Sequence, residues 1–347
     1  MGEIKKQSIK GTIFIYSGAM LGFIISGFLF PRFLSTEQIG LIGVLVSYSA
    51  IFTQIASLGF VSATTRMFPY FRDSSKKHNG FVFLGNSVTF IGFVLVSIGF
   101  WFLEPYIITD GETTSNLLIQ YSFLIYPLAL FTVVFNFHDH YNKVLFNASR
   151  GLFLKEFVLR VVIIIMILLF IFKIIDFNQF VFYYVASYAL PVLIIVLLLL
   201  KDKQLSYLPR KGLIDKDLIK PLISVSFFGI ITSGASILTI NINRILVESY
   251  LGLADAGIFI TCFFFGTMVI LPSRAILKIS SAYIADSFKK KNLQMIYDIY
   301  HKTSINQFAI GCLIFIGIWV NEKNIFEILG FDFLPGKWVI FFIGLAF

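Results

Sequence analysis

The sequence predicts an all-α, polytopic integral membrane protein of about ten transmembrane helices. Three observations predict it: composition, the spacing of charge-free stretches, and the distribution of basic residues. Of 347 residues, 57% are hydrophobic and 14% charged, with a mean hydropathy of +0.86. Soluble domains carry about 25% charged residues. Ten spans of ~20 residues would occupy about 200 positions, which excludes a sizeable aqueous domain and most soluble enzyme folds. Forty-two Phe against three Trp suit lipid-facing and packing aromatics better than a nucleic-acid stacking platform. The net charge of +9 belongs to the loops of a membrane protein, so no nucleic-acid partner is expected. Cys262 and Cys312 lie in apolar runs and read as small buried hydrophobes, with no disulfide or metal implied.

Stretches free of Asp, Glu, Lys and Arg mark the spans in order. They are Gly11 to Pro31, Gln38 to Thr65, Asn79 to Leu103, Thr113 to Phe137, Phe177 to Leu200, Pro221 to Asn243, Ala256 to Ser273 and Thr303 to Asn321. Val161 to Phe172 is too short alone and becomes a span only from Phe157, with Arg160 inside it. The first stretch ends in Phe30-Pro31-Arg32 and offers no small-residue cleavage site, so it reads as a permanent span rather than a signal peptide. The last run, Trp338 to Phe347, holds ten residues. A tenth helix is therefore expected to be incomplete, and the chain to be a fragment unable to work alone.

Counted in alternate connections, 21 basic residues fall on one side and 5 on the other. The excess places the amino terminus in the cytoplasm. The charged stretch from Lys201 to Lys220, with Pro209 and Pro221, separates two halves. The expected division is an N-terminal six-helix lobe (1–203), a cytoplasmic linker (204–220) and an incomplete C-terminal lobe (221–347). The halves echo each other. Asp73-Ser-Ser-Lys-Lys-His-Asn79 returns as Asp286-Ser-Phe-Lys-Lys-Lys-Asn292 at an offset of 213, and Leu34 to Gly40 (LSTEQIG) resembles Leu251 to Gly257 (LGLADAG) at an offset of 217. Odd and even spans correspond without inversion, so the repeat is parallel, about an axis along the membrane normal.

Several stretches resemble a known family. Ile9 to Ser47 is similar to the opening helix pair of the polysaccharide-exporter branch of the multidrug/oligosaccharidyl-lipid/polysaccharide (MOP) superfamily. Arg66 to Asp73 (RMFPYFRD) resembles the loop after its second helix, Ile242 to Phe259 its turn between helices seven and eight, and Ile318 to Ala346 its run into helix ten. The resemblance implies a flippase that moves polyprenyl-diphosphate-linked oligosaccharide from the inner to the outer leaflet of the bacterial cytoplasmic membrane, for O-antigen, capsule or exopolysaccharide synthesis. It implies a carrier rather than an enzyme, with no cofactor. Its partners would be membrane lipids, the lipid-linked oligosaccharide, and neighbouring polysaccharide polymerase and glycosyltransferases. One departure is Asn243 before Arg244, where many members place an acid. That removes a carboxylate from a position where it would couple an ion.

The charge-free spans hold no Asp or Glu by this reckoning, which weighs against the alternative, an ion-coupled drug or metabolite antiporter of the same superfamily. Asp215-Lys216-Asp217 superficially offers a sugar-nucleotide motif but lacks any soluble domain to serve. His138-Asp139-His140 reads as a polar helix end at the cytoplasmic surface, because residues i and i+2 point to different faces. Arginines carry more. The family's cavity is cationic and formed largely by helices one, two, seven and eight, which matches Arg244 and Arg274 to its walls. Guanidinium suits phosphate through bidentate hydrogen bonds. Asn241, Asn243, Arg160 and Arg66 complete the candidate set, with interfacial anchoring as the alternative role for the arginines. Gly18, Gly22 and Ser26 form a small-residue stripe that reads as a helix-packing face.

Overall fold

The structure, a computed structural model, describes residues 2–73, 77–109, 115–205, 216–273 and 292–347, with isolated positions 276, 280, 284 and 287. All its regular elements are helical. Helix α1 (Gly2–Phe23) widens into a π-turn (Ile24–Leu29) before α2 (Phe30–Phe33). Ser35 then starts α3 (Thr36–Ala56) through a reciprocal capping box: Gln38 N donates to Ser35 Oγ (3.2 Å), and Ser35 N to Gln38 Oε1 (3.1 Å). Leu58 and Gly59, both at positive φ, break the column, and it resumes as α4 (Phe60–Phe71). There follow α5 (Phe81–Glu104), α6 (Asn116–Tyr121) and α7 (Ile125–Val144). Helix α8 (Ala148–Leu152), a π-turn (Phe153–Val158) and α9 (Leu159–Ile171) make one column, and α10 (Phe177–Ser187) with α11 (Ala189–Lys201) the next. Beyond residue 215 come α12 (Lys216–Leu251), α13 (Leu253–Gly266), α14 (Leu293–Val320), α15 (Glu322–Leu329) and α16 (Lys337–Ala346).

Eight of these helical columns are long and apolar enough to cross a membrane, and they coincide with the eight charge-free stretches. The column expected to carry Arg160 is helical throughout 148–171. The chain is an all-α, multi-pass membrane protein. Helix α12 runs further at both ends than the charge-free window, taking in part of the expected linker and both Arg244 and Glu248. A charged residue near the end of a span leaves every backbone hydrogen bond intact, so a window that stops at charge underestimates the helix. The expectation of carboxylate-free spans is thereby corrected, since Glu248 is only 1% exposed. Similarly, His138 and Asp139 are buried rather than exposed at a polar helix end. His138 Nδ1 and His140 Nδ1 lie 2.8 and 2.9 Å from the carbonyl oxygens one turn earlier, and Lys143 pairs with Asp139 at 2.6 Å.

Helix α3 is the central column, packed on α5 and α7 of its own half and on α12 and α13 of the other. Aromatic rings fill the space around it. Phe52 touches Phe93, Phe100 and Tyr126, and further along Phe68 touches Phe81 and Tyr141 at 5.4–5.5 Å between centroids. Several polar side chains at the ends find local partners. Ser122 and Tyr126 donate to Glu104 at 2.7 and 3.1 Å. Lys337 pairs with Glu322 at 2.8 Å and lies over the rings of Trp319 and Trp338.

Candidate functional site

A cavity of about 440 Å³ opens where the two halves meet. Its walls come from the π-turn after α1 (Ser26), from α3 (Ile39, Ile42, Gly43, Val46), α10 (Tyr184), α12 (Ile240, Arg244) and α13 (Ile260, Thr261, Phe263, Phe264). The lining is apolar apart from Ser26, Tyr184, Arg244, Thr261 and Thr267. Among the described residues, Arg244 is the one formal charge in these walls. Its guanidinium lies 5.7 Å from the centre of the Phe263 ring, and its Nε is buried with no hydrogen-bond partner among the described residues. A cation held without a carboxylate in an apolar wall is costly unless something anionic shares the site.

Arg160 approaches the same place from α9. It pairs with Glu156, one turn back, at 2.8 Å, and the pair packs into the stripe formed by Gly18 and Gly22 on α1. A Cβ on Gly18 would meet Glu156 at 2.7 Å, and one on Gly22 would overlap the Arg160 guanidinium. Gly18 and Gly22 are therefore a packing face, as expected, and what they accommodate is an ion pair, whereas Ser26, the third residue of the stripe, lines the cavity. Tyr184 links the two arginines, because its hydroxyl lies within electrostatic reach of both guanidinium groups and 3.3 Å from the hydroxyl of Tyr188.

The other candidates lie elsewhere. Asn241 is buried, but its side-chain amide donates to the Ile237 carbonyl at 2.8 Å on its own helix. Asn243 is exposed on α12, and Arg66 is exposed on α4. Arg274 lies outside the described residues, as do Asp215, positions 74–76 of the first D-S-x-K-K-x-N segment and most of the second. Sequence reasoning missed Tyr184, Glu156 and Glu248. The spacing of Glu156 and Arg160, four apart, was a visible signal for a helical ion pair. A lone Tyr in an apolar run gives none.

Glu248 lies one turn beyond Arg244 on α12. One carboxyl oxygen, Oε1, is buried and unpartnered among the described residues, and so is the hydroxyl of Tyr48 on α3, within electrostatic reach of it. Arg244 and Glu248, one turn apart on α12, thus both hold desolvated polar atoms.

The fold is that of MOP-superfamily transporters. It is similar, at 13% identity and a TM-score of 0.72, to an inward-facing multidrug resistance MATE family transporter of that superfamily, over 96% of this chain and 78% of the other. A MOP superfamily transporter from Pyrococcus furiosus, described as having a binding pocket of reversed polarity, matches at 13% identity and a TM-score of 0.66, over 97% and 77%. An outward-facing MATE family transporter matches at 14% identity and a TM-score of 0.55, over 99% and 79%. No curated protein matches the chain. Residues 5–283 match the family described as "Polysaccharide biosynthesis protein", and the chain belongs to that family.

Proposed function

We propose that this protein moves a polyprenyl-diphosphate-linked oligosaccharide from the inner to the outer leaflet of a bacterial cytoplasmic membrane. The two halves rock as lobes (1–203 and 221–347) around the central cavity. The observation that carries this is Arg244: a desolvated guanidinium, without a carboxylate partner among the described residues, in the wall of a largely apolar cavity between the halves. A diphosphate supplies the missing acceptors and suits the planar donor fork. Arg160, held by Glu156 in the first half, faces the same Tyr184, so one anionic headgroup engages both halves while its lipid tail stays in the bilayer. The protein acts as a carrier and not as an enzyme. Moving each negative charge outward across an inside-negative potential contributes up to ~2.3 kcal/mol per 100 mV.

Complementation of a flippase-deleted strain tests the reading. Arg244→Ala abolishes glycan export at normal protein abundance, and Arg244→Lys restores it only in part. Normal export by the alanine variant would reduce Arg244 to a structural cation.

A second reading, an ion-coupled antiporter, is favoured by Glu248, whose buried carboxyl was not foreseen. Uptake of a cationic dye into proteoliposomes under an imposed pH or Na⁺ gradient, lost in Glu248→Gln, would select it. The orientation, with the amino terminus in the cytoplasm, is read from charge bias. In a Cys262→Ala, Cys312→Ala background, cysteines at Ser206 and Asn292 resist a membrane-impermeant thiol reagent in intact cells, while one at Thr113 reacts. The reverse pattern would invert the topology.

A further inference from the structure

We propose that Gly40 and Gly257 form a symmetric steric gate: two bare Cα positions that let α3 and α13 close one end of the cavity, and that hold this end open when either carries a side chain. The contact is reciprocal. A Cβ placed on Gly40 would overlap the Leu253 carbonyl oxygen and lie 2.8 Å from its carbonyl carbon and 3.1 Å from Gly257 N. A Cβ on Gly257 would overlap the Thr36 carbonyl oxygen and lie 2.8 Å from that carbonyl carbon and 3.0 Å from Gly40 N. The four residues form two pairs, Thr36 with Leu253 and Gly40 with Gly257, each separated by 217 positions, the offset at which LSTEQIG and LGLADAG repeat. The pseudo-two-fold axis of the repeat therefore passes between the two glycines, and equivalent turns of the two halves touch each other across it.

Two features make this contact a gate rather than ordinary small-residue packing. The obstacle facing each glycine is backbone, which no rotamer change can move. At Gly43, one turn deeper, the nearest obstacle to an added Cβ is the Ile260 side chain, its Cδ1 first. The contact also stands directly over the cavity, whose lining begins with Ile39, Ile42 and Gly43 on one helix and Ile260 on the other. While the glycines touch, that end is shut. A carrier that alternates access must part them and bring them together again in each cycle. The inference rests on the carrier reading above for the alternation, but not on what is carried.

Alanine is the better helix former, so each helix tolerates the substitution by itself and the penalty falls on the closed state alone. The test uses the full chain in lipid nanodiscs, with Cys262→Ala and Cys312→Ala. Spin labels go on Glu37→Cys and Ala254→Cys, two exposed positions that are also 217 apart. Pulsed dipolar spectroscopy of the chain with both glycines intact is expected to show a short-distance population, from helix ends in contact. Gly40→Ala and Gly257→Ala are each expected to abolish that population in favour of longer distances, while Gly43→Ala keeps it. Retention of the short distance in either alanine variant, or its absence with both glycines intact, overturns the gate. Should one alanine variant fail to insert, the variant in the other half and the intact chain still decide. No substrate is present, so a failed glycan-export reading leaves this measurement unaffected.

Discussion

The turn that opens α3 and the turn that opens α13 hold equivalent places in the repeat, yet they start their helices by different means. At the first, Ser35 sits in extended backbone (φ −69°, ψ 159°) and exchanges hydrogen bonds with Gln38. At the second, Gly252 occupies φ 93°, ψ 173°, and makes no side-chain cap bond. One turn is fixed by side-chain chemistry, the other by a backbone conformation that favours glycine. Both deliver a glycine to the same depth in the helix, where the halves touch. The difference teaches that the repeat maintains the inter-helix contact, while the local device that begins each helix is free to vary.

The comparison can be broken at several levels. The largest effect belongs to the shared feature: Gly40→Ala and Gly257→Ala each abolish transport in a complementation assay, and the double variant is no worse than either. Additive partial losses would show two independent packing defects instead. Next comes Gly252→Ala, which forces a side chain into positive φ and should cost about 1–3 kcal/mol, read as a lowered melting temperature in detergent. Ser35→Ala loses one cap and should cost about 1 kcal/mol. If these two losses prove equal, the turns are less different than their geometry indicates. The smallest effect is that of Gly99→Ala on α5, where an added Cβ meets no atom within 4 Å. Its melting temperature should stay level or rise slightly, because alanine favours the helix.

Much of the architecture was legible in the sequence because hydropathy and charge report on the bilayer directly. The eight charge-free stretches correspond to eight helices, and the 217-residue echo marks the two turns that meet. The candidate site was less legible. Arg244 was singled out because the family resemblance places the seventh helix, at whose outer end it lies, in the cavity wall. Glu248 was missed because treating charge as the end of a span cut α12 short before it reached that residue. Tyr184 carried no signal, since what matters about it is its position between Arg160 and Arg244, set by packing of α9, α10 and α12. The π-turn at Ile24–Leu29 was likewise unreadable, because one extra residue in a turn leaves an all-apolar pattern unchanged.

The reciprocal glycine contact also limits how this protein can change. In most packed interfaces an enlarged residue is accommodated by shrinking its neighbour, so volume can be traded across the contact over successive substitutions. Here neither partner has an atom to give up: Gly40 faces a carbonyl, Gly257 faces a carbonyl, and each lies against the amide nitrogen of the other. A single base change at either codon has no second-site remedy within the pair. Suppressors should arise instead along the lengths of α3 and α13, in residues that set how the two helices tilt against each other.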